Sequence, residues 1–126
     1  MNENLNFTVD AAPNFKMESR VLADGVPLVK ITGRMMGDAV LDTTGAMFDQ
    51  FAAITTNLFC DLSECRFLSS MAYSFIYQLS MQRQEKGKKM VLIAADPQVR
   101  KVITLTGMGN DFVFVATLDA ALAIGK

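Results

Sequence analysis

The sequence contains no histidine. That removes the side chain most often used near neutral pH as a general base and as a metal ligand. It also excludes Ser-His and Cys-His nucleophile chemistry within one chain. Cysteine is scarce, with Cys60 and Cys65 alone. Two thiols are too few for a secreted disulfide scaffold, and their C-x4-C spacing is neither a redox nor a zinc motif. Cys60 reads as a small buried hydrophobe, and Cys65, placed in the turn that follows, would be reactive if exposed. A reduced, cytoplasmic setting is expected. Neither sign of charge dominates, with 12 Lys and Arg against 13 Asp and Glu and a formal net charge of -1. There is thus no basic field for nucleic acid. No window approaches the roughly 18 apolar residues of a membrane span, and the N-terminus lacks the basic-then-apolar order of a signal peptide. Asp24, Asp38, Asp42 and Asp49 show no spacing that gathers carboxylates on a metal. Thr106 to Asn110 is glycine-bearing but follows a helix instead of opening one, which is the wrong context for a phosphate loop. No cofactor and no metal are expected, and the chain reads as non-catalytic.

What is present is an apolar chain of 126 residues, 51% hydrophobic, long enough to bury one core. Residues 1–14 are polar and read as a loosely ordered lead-in, with a single domain over 15–126. Phe15 to Leu22 and Val26 to Ile31 are strand-like runs around Ala23-Asp24-Gly25, a hairpin signal. Gly33 to Gly37 breaks the pattern. Asp38 opens a helix expected to reach about Thr55, with Val40, Leu41, Met47, Phe48, Phe51 and Ala52 on its apolar side. Asn57 to Leu62 is a short apolar strand, Ser63 to Leu68 a turn, and a helix follows from about Ser70 to Lys86, closed by Gly87. Lys89 to Ala94 is a further strand. Asp96-Pro97 starts a helix with Val99, Val102, Ile103 and Thr106 on one side and Gly107 at its end. Phe112 to Ala116 is a strand, and Thr117 caps Leu118 to Ile124. The order ββαβαβαβα predicts an α/β fold. Its mixed, mostly parallel sheet has about five strands, with about four helices packed mainly on one side.

Three stretches within this order carry a resemblance. They are Phe59-Cys60-Asp61-Leu62-Ser63 with Phe67-Leu68-Ser69-Ser70, then Lys86-Gly87-Lys88-Lys89-Met90-Val91-Leu92, then Val99 to Met108. Together they resemble the STAS domain of sulfate transporters and anti-sigma-factor antagonists, over nearly the whole chain from Phe15. In the antagonist branch the loop before the long helix typically reads Asp-Ser-(Ser/Thr)-Gly, and a partner kinase phosphorylates the serine after the aspartate. The corresponding residues here are Ser69, Ser70, Met71 and Ala72. The resemblance therefore implies Ser70 as the phosphorylation site, with Ser69 as the alternative. Serine stands in place of the charged aspartate and alanine in place of the glycine. The implied function is a regulatory protein-binding module that switches partners, an anti-sigma factor or a serine kinase of that class. The alternative is a STAS subunit of a transporter or sensory complex that binds without phosphorylation, a branch that tolerates departures in this loop.

At 100° per residue, Ala72, Phe75, Ile76 and Leu79 form the stripe expected to face the sheet. Ser70, Ser74, Tyr77 and Met81 fall on the opposite side with Tyr73 flanking, and no charge is expected there before Arg83, Glu85 and Lys86. A hydroxyl and aromatic stripe of this kind marks a partner surface. The expected partner-binding set is Ser69, Ser70, Met71, Tyr73, Ser74, Tyr77 and Met81, and the face over 70–86 could also pair with a second copy.

Overall fold

The computed structural model describes residues 8–11, 15–22, 25–36, 50–105 and 112–125. Six strands lie side by side in sequence order: β1 (Thr8–Ala11), β2 (Phe15–Val21), β3 (Pro27–Met35), β4 (Leu58–Leu68), β5 (Met90–Ile93) and β6 (Phe112–Val115). The pairs β1–β2 and β2–β3 are antiparallel, and β3–β4, β4–β5 and β5–β6 are parallel. The described helices are α1 (Ser70–Glu85), α2 (Pro97–Leu105) and α3 (Leu118–Ile124). The expected mixed, mostly parallel sheet is present, with one strand more than expected. Residues 8–11, read as lead-in, pair with β2 from Thr8↔Glu18 to Ala11↔Phe15. Thr8-Val9-Asp10-Ala11 does alternate polar and apolar, but over four residues only, too short a run to announce a strand, and short strands are usual at a sheet edge.

Successive side chains of a strand point to opposite faces, so the sheet has two cores. One holds Met17, Ile31, Met35, Leu58, Cys60, Leu62, Met90 and Leu92 beneath α1 and α2, which contribute Ala72, Phe75, Ile76, Leu79, Val99 and Ile103. The other holds Val26, Leu28, Phe59, Val91 and Ile93, and α3 covers it through Ala121. All four residues of β5 are buried, which explains its unbroken apolar run. Two of the three described helices share one face, and α3 takes the other. The helix expected from Asp38 lies mostly outside the described residues. Residues 50–52 are helical, and the segment has left the helix before Thr55.

Two boundaries differ from expectation for one reason. β3 runs on past Gly33 and β4 runs on through the expected turn at Ser63 to Leu68. Their pairing slips between Lys30 and Thr32 and again between Gly33 and Arg34. Gly33 sits at φ 95°, a conformation open to glycine that suits a bulge. The slips shift burial on β4 to every third residue, Leu62, Cys65 and Leu68, and a three-residue period does not read as a strand.

The least expected buried residue is Arg83, read from the sequence as a solvent-facing charge and fully buried here. Its Nη1 donates to the carbonyls of Ile54 (2.7 Å) and Thr56 (3.0 Å), and its Nη2 to the carbonyl of Phe51 (2.7 Å) and to Gln82 Oε1 (3.1 Å). These carbonyls belong to the segment that leaves the helical residues 50–52 and enters β4, whose own orphan acceptors need donors. Burial pulls the guanidinium below its ordinary pKa, yet arginine remains charged. No carboxylate pairs with it among the described residues. Beside it, Asn57 Nδ2 donates to the Gly125 carbonyl (3.1 Å) and Asn57 Oδ1 accepts from the Lys89 N–H (2.8 Å). This junction therefore also ties in the starts of β4 and β5 and the end of the chain.

The far end of α1 closes by a Schellman pattern. Gly87 at φ 71° donates to the Gln84 carbonyl (2.9 Å), and Lys88 donates to the Arg83 carbonyl (2.8 Å). A Cβ on Gly87 would meet nothing within 4 Å, so Gly87→Ala isolates backbone strain. It should cost about 1 kcal/mol in chemical denaturation with no change of fold. Arg83→Met strands several buried carbonyls and should cost about 3 kcal/mol or more by the same measurement. Arg83→Lys, lacking the planar fork, should recover only a minor part of that loss.

Candidate functional site

The bulged course of β4 delivers the chain to Ser69, whose N–H donates to the Met35 carbonyl at the end of β3 (3.0 Å). Ser69 is extended (φ -72°, ψ 169°), and its Oγ accepts from the Ala72 N–H at 3.2 Å, so it is the N-cap of α1. Its carbonyl accepts the Tyr73 N–H at 2.9 Å. Ser70 is the first residue of the helix and is exposed, and its hydroxyl makes no hydrogen bond among the described residues. The two serines thus differ in chemistry. Ser69 Oγ is half-buried and committed to the cap, while Ser70 Oγ is free and solvent-facing at the positive end of the helix dipole. The first turn of α1 contains no acidic residue.

The helix faces divide as the spacing predicts. Ala72, Phe75, Ile76 and Leu79 are buried against the sheet. Ser74 is exposed, Tyr73 and Tyr77 are half-buried, and Met71 and Met81 are 40% and 45% exposed. Ser74 Oγ accepts a long hydrogen bond from Gln78 Nε2 (3.5 Å). The outward residues do not form one continuous site, however. Ser70 and Tyr73 line a groove with Arg66, Phe67, Leu68, Gln98, Val99 and Val102, between the end of β4 and α2. Met81 lies toward the other end of the helix, in a separate depression with Ala52, Gln82 and Glu85. Sequence reasoning missed Arg66 and Phe67, because they sit in the stretch read as a turn, and it read Val102 only as part of α2's apolar side. The available signal was a large aromatic, Phe67, two residues before the serine pair.

Electrostatics around the groove are uneven. The Arg34 guanidinium lies over the Phe67 ring, 4.7 Å from its centroid. Lys30 Nζ donates to Glu64 Oε2 at 2.6 Å, and that hydrogen bond raises the lysine pKa. Asp96 Oδ1 accepts from the Gln98 N–H (2.8 Å) and caps α2. The Tyr73 phenol is pushed up by burial, then by the nearby Cys65 and Asp96. Burial also raises both thiols. Cys65 is buried within β4 and not in a turn, so the exposure on which its reactivity was conditional is not present. Asp61 lies within β4 and accepts the Ser63 N–H on its Oδ1 (2.9 Å), a local hydrogen bond. Among the described residues no group of His, Cys, Asp and Glu gathers as a metal site, and no helix is long and apolar enough to cross a membrane.

The family model for the STAS domain matches residues 13–121. No curated protein sequence matches the chain. Several solved structures are similar in fold. An anti-sigma factor antagonist from Mycobacterium paratuberculosis aligns with a TM-score of 0.73 at 24% identity, covering 92% of this chain and 97% of that one. A STAS domain protein from Planctomyces limnophilus aligns at 0.74 and 12% identity, covering 86% and 96%. The Bacillus cell fate determinant SpoIIAA in its phosphorylated form aligns at 0.69 and 15% identity, covering 87% and 99%.

The division of labour between the serines is testable without any partner. Ser69→Ala should cost about 1 kcal/mol of stability through loss of the cap. Ser70→Ala should stay within about 0.5 kcal/mol of the parent, as a surface change does. Equilibrium denaturation of the two variants reads both.

Proposed function

The chain belongs to the STAS-domain family, and on that footing we propose that it is a non-catalytic regulatory module of the anti-sigma-factor-antagonist kind, switching partners through phosphorylation of Ser70. The observation that carries this reading is the free, exposed hydroxyl of Ser70 at the first position of α1, while Ser69 alone does the capping. A kinase can reach that hydroxyl without dismantling the helix start. The surroundings suit a docking surface, with Phe67 and Met71 exposed and the outward side of α1 bare of charge as far as Met81. The partner-binding residues are Ser69, Ser70, Met71, Tyr73, Ser74, Tyr77 and Met81, and Phe67 joins them. A phosphate on Ser70 adds nearly two negative charges and a hydrated group to this apolar surface. Its desolvation opposes any partner that docks there. Solved structures of SpoIIAA in unphosphorylated and phosphorylated forms support a family in which such a modification leaves the fold standing.

The partner is an anti-sigma factor or a serine kinase of that class, the setting is the cytoplasm, and the outward face of α1 also suits pairing with a second copy. A second reading is favoured by a specific observation: no acidic residue lies in the first turn of α1, and Ser69 and Ala72 stand where the antagonist loop has Asp and Gly. On that reading the chain is a STAS subunit of a transporter or sensory complex and binds without phosphorylation.

Affinity capture from the source cells with mass spectrometry separates the two. An ATP-binding anti-sigma partner supports the first, and a membrane transport complex the second. With the recovered partner, Ser70→Asp should weaken binding at least about tenfold and leave the thermal midpoint nearly unchanged. Undiminished binding by Ser70→Asp, or phosphate still present on Ser70→Ala by intact mass, would sink the Ser70 switch.

A further inference from the structure

We propose that Arg66 is the internal receptor for a phosphate carried on Ser70, and that their pairing covers the groove between the end of β4, the start of α1 and α2. The inference rests on the reading of Ser70 as the acceptor and deepens it. In that step a serine kinase transfers the γ-phosphoryl group of ATP. The bond from Ser70 Oγ to phosphorus forms, the bond from phosphorus to the oxygen bridging to ADP breaks, and the hydroxyl proton passes to the kinase's base.

The groove sets the geometry. Arg66 and Ser70 line it together, and Phe67, Tyr73, Val99 and Val102 supply its apolar walls. Among the described residues, the charged groups nearest the groove are these, with Lys101 also exposed on α2. From β3, Arg34 is laid on the Phe67 ring at 4.7 Å. From β4, Glu64 is held by Lys30 at 2.6 Å. The first turn of α1 brings no carboxylate. From α2, Arg100 lies over the Phe114 ring at 4.7 Å. Asp96, its carboxylate on the Gln98 N–H, is close enough for its charge to be felt at Tyr73. Arg66 is exposed and holds no ion pair, hydrogen bond or ring contact among the described residues. Among the described residues that line the groove, it is the uncommitted cation beside the acceptor.

A phosphate dianion on Ser70 enters a place where Asp96 repels it and the walls do not solvate it. The nearby guanidinium offers what the phosphate lacks, a planar fork that binds two phosphate oxygens at once. Both side chains are on the surface, so neither must leave a buried partner to meet the other. The result is a polar bridge across the mouth of the groove. Phosphorylation then acts by closing a binding groove as well as by adding charge, and the apolar walls become unavailable to a partner's side chain.

Phosphoserine installed at position 70 by genetic-code expansion tests this directly, with 31P NMR following the second ionisation of the phosphate. Pairing with a guanidinium favours the dianion, so its pKa should lie about 0.5 lower with Arg66 present than in the Arg66→Gln protein. Arg66→Lys, which keeps the charge and loses the fork, should fall between the two. It serves as the comparison if Arg66→Gln does not fold. Superimposable titrations across the parent and these variants would overturn the proposal. The titration needs no partner, so the two readings fail separately. A depressed phosphate pKa with undiminished partner binding overturns the proposed function alone. Superimposable titrations with lost partner binding overturn the role of Arg66 alone.

Discussion

The Arg83 guanidinium is the joint on which the arrangement of α1 against the sheet depends. It reaches from the last turn of α1 to the carbonyls of Phe51, Ile54 and Thr56, where the chain leaves one helical segment and turns into the central strand. A carboxylate partner would neutralise the charge but hold only one point. Main-chain oxygens spread along six residues fix the path of the whole junction, since each good hydrogen bond restricts a different peptide. The desolvation of a buried charge is large, and several charge-assisted bonds are what offset it. Among the described residues the Nε has no hydrogen-bond partner, so even this fork is not fully satisfied there.

From that joint the geometry of the serine site follows. β4 starts where Asn57 and Arg83 pin it, and it runs beside β3 through two register slips to Leu68. Each slip turns the strand, and their combined effect brings Ser69 to the Met35 carbonyl in position to cap α1. Gly33 is the position that makes this course affordable in backbone terms, because its φ of 95° is open to glycine. The exposed hydroxyl of Ser70 is therefore a product of long-range pairing and not of the serine pair alone.

The parts of the fold legible in the sequence were those encoded locally. Thr117 as the cap of α3, Asp96-Pro97 opening α2 and Gly87 closing α1 rest on contacts within a few residues, while the stripe Ala72-Phe75-Ile76-Leu79 is marked by helical spacing, and all are where spacing put them. The parts that were not legible depend on partners distant in sequence. The second half of β4 is a strand because β3 pairs with it out of simple register, and β1 is a strand because β2 is there to receive it. Arg83 stands among Gln82, Gln84, Glu85 and Lys86 at a helix end, and nothing local distinguishes it from a solvated charge. Its acceptors lie 27 to 32 residues upstream. The groove at Ser70 was half legible for the same reason: its α1 residues were readable, and its β4 and α2 walls were not.

These constraints bear on what kind of switch this helix can support. α1 is fixed at its start by the Ser69 cap, along its length by four buried apolar side chains, and at its end by Arg83 and the Schellman closure at Gly87. A modification on Ser70 disturbs none of these. Its hydroxyl takes no part in the cap, and a negative charge at the helix N-terminus is favourable. The energy that a phosphate brings cannot readily go into moving a helix so held, so it must be expressed at the surface. There it would meet the exposed Phe67, Arg66, which has no partner among the described residues, and the half-buried Tyr73. On the proposed reading, a helix so held would turn a local change of charge into a change of what the surface can bind, with the fold beneath it left as it was.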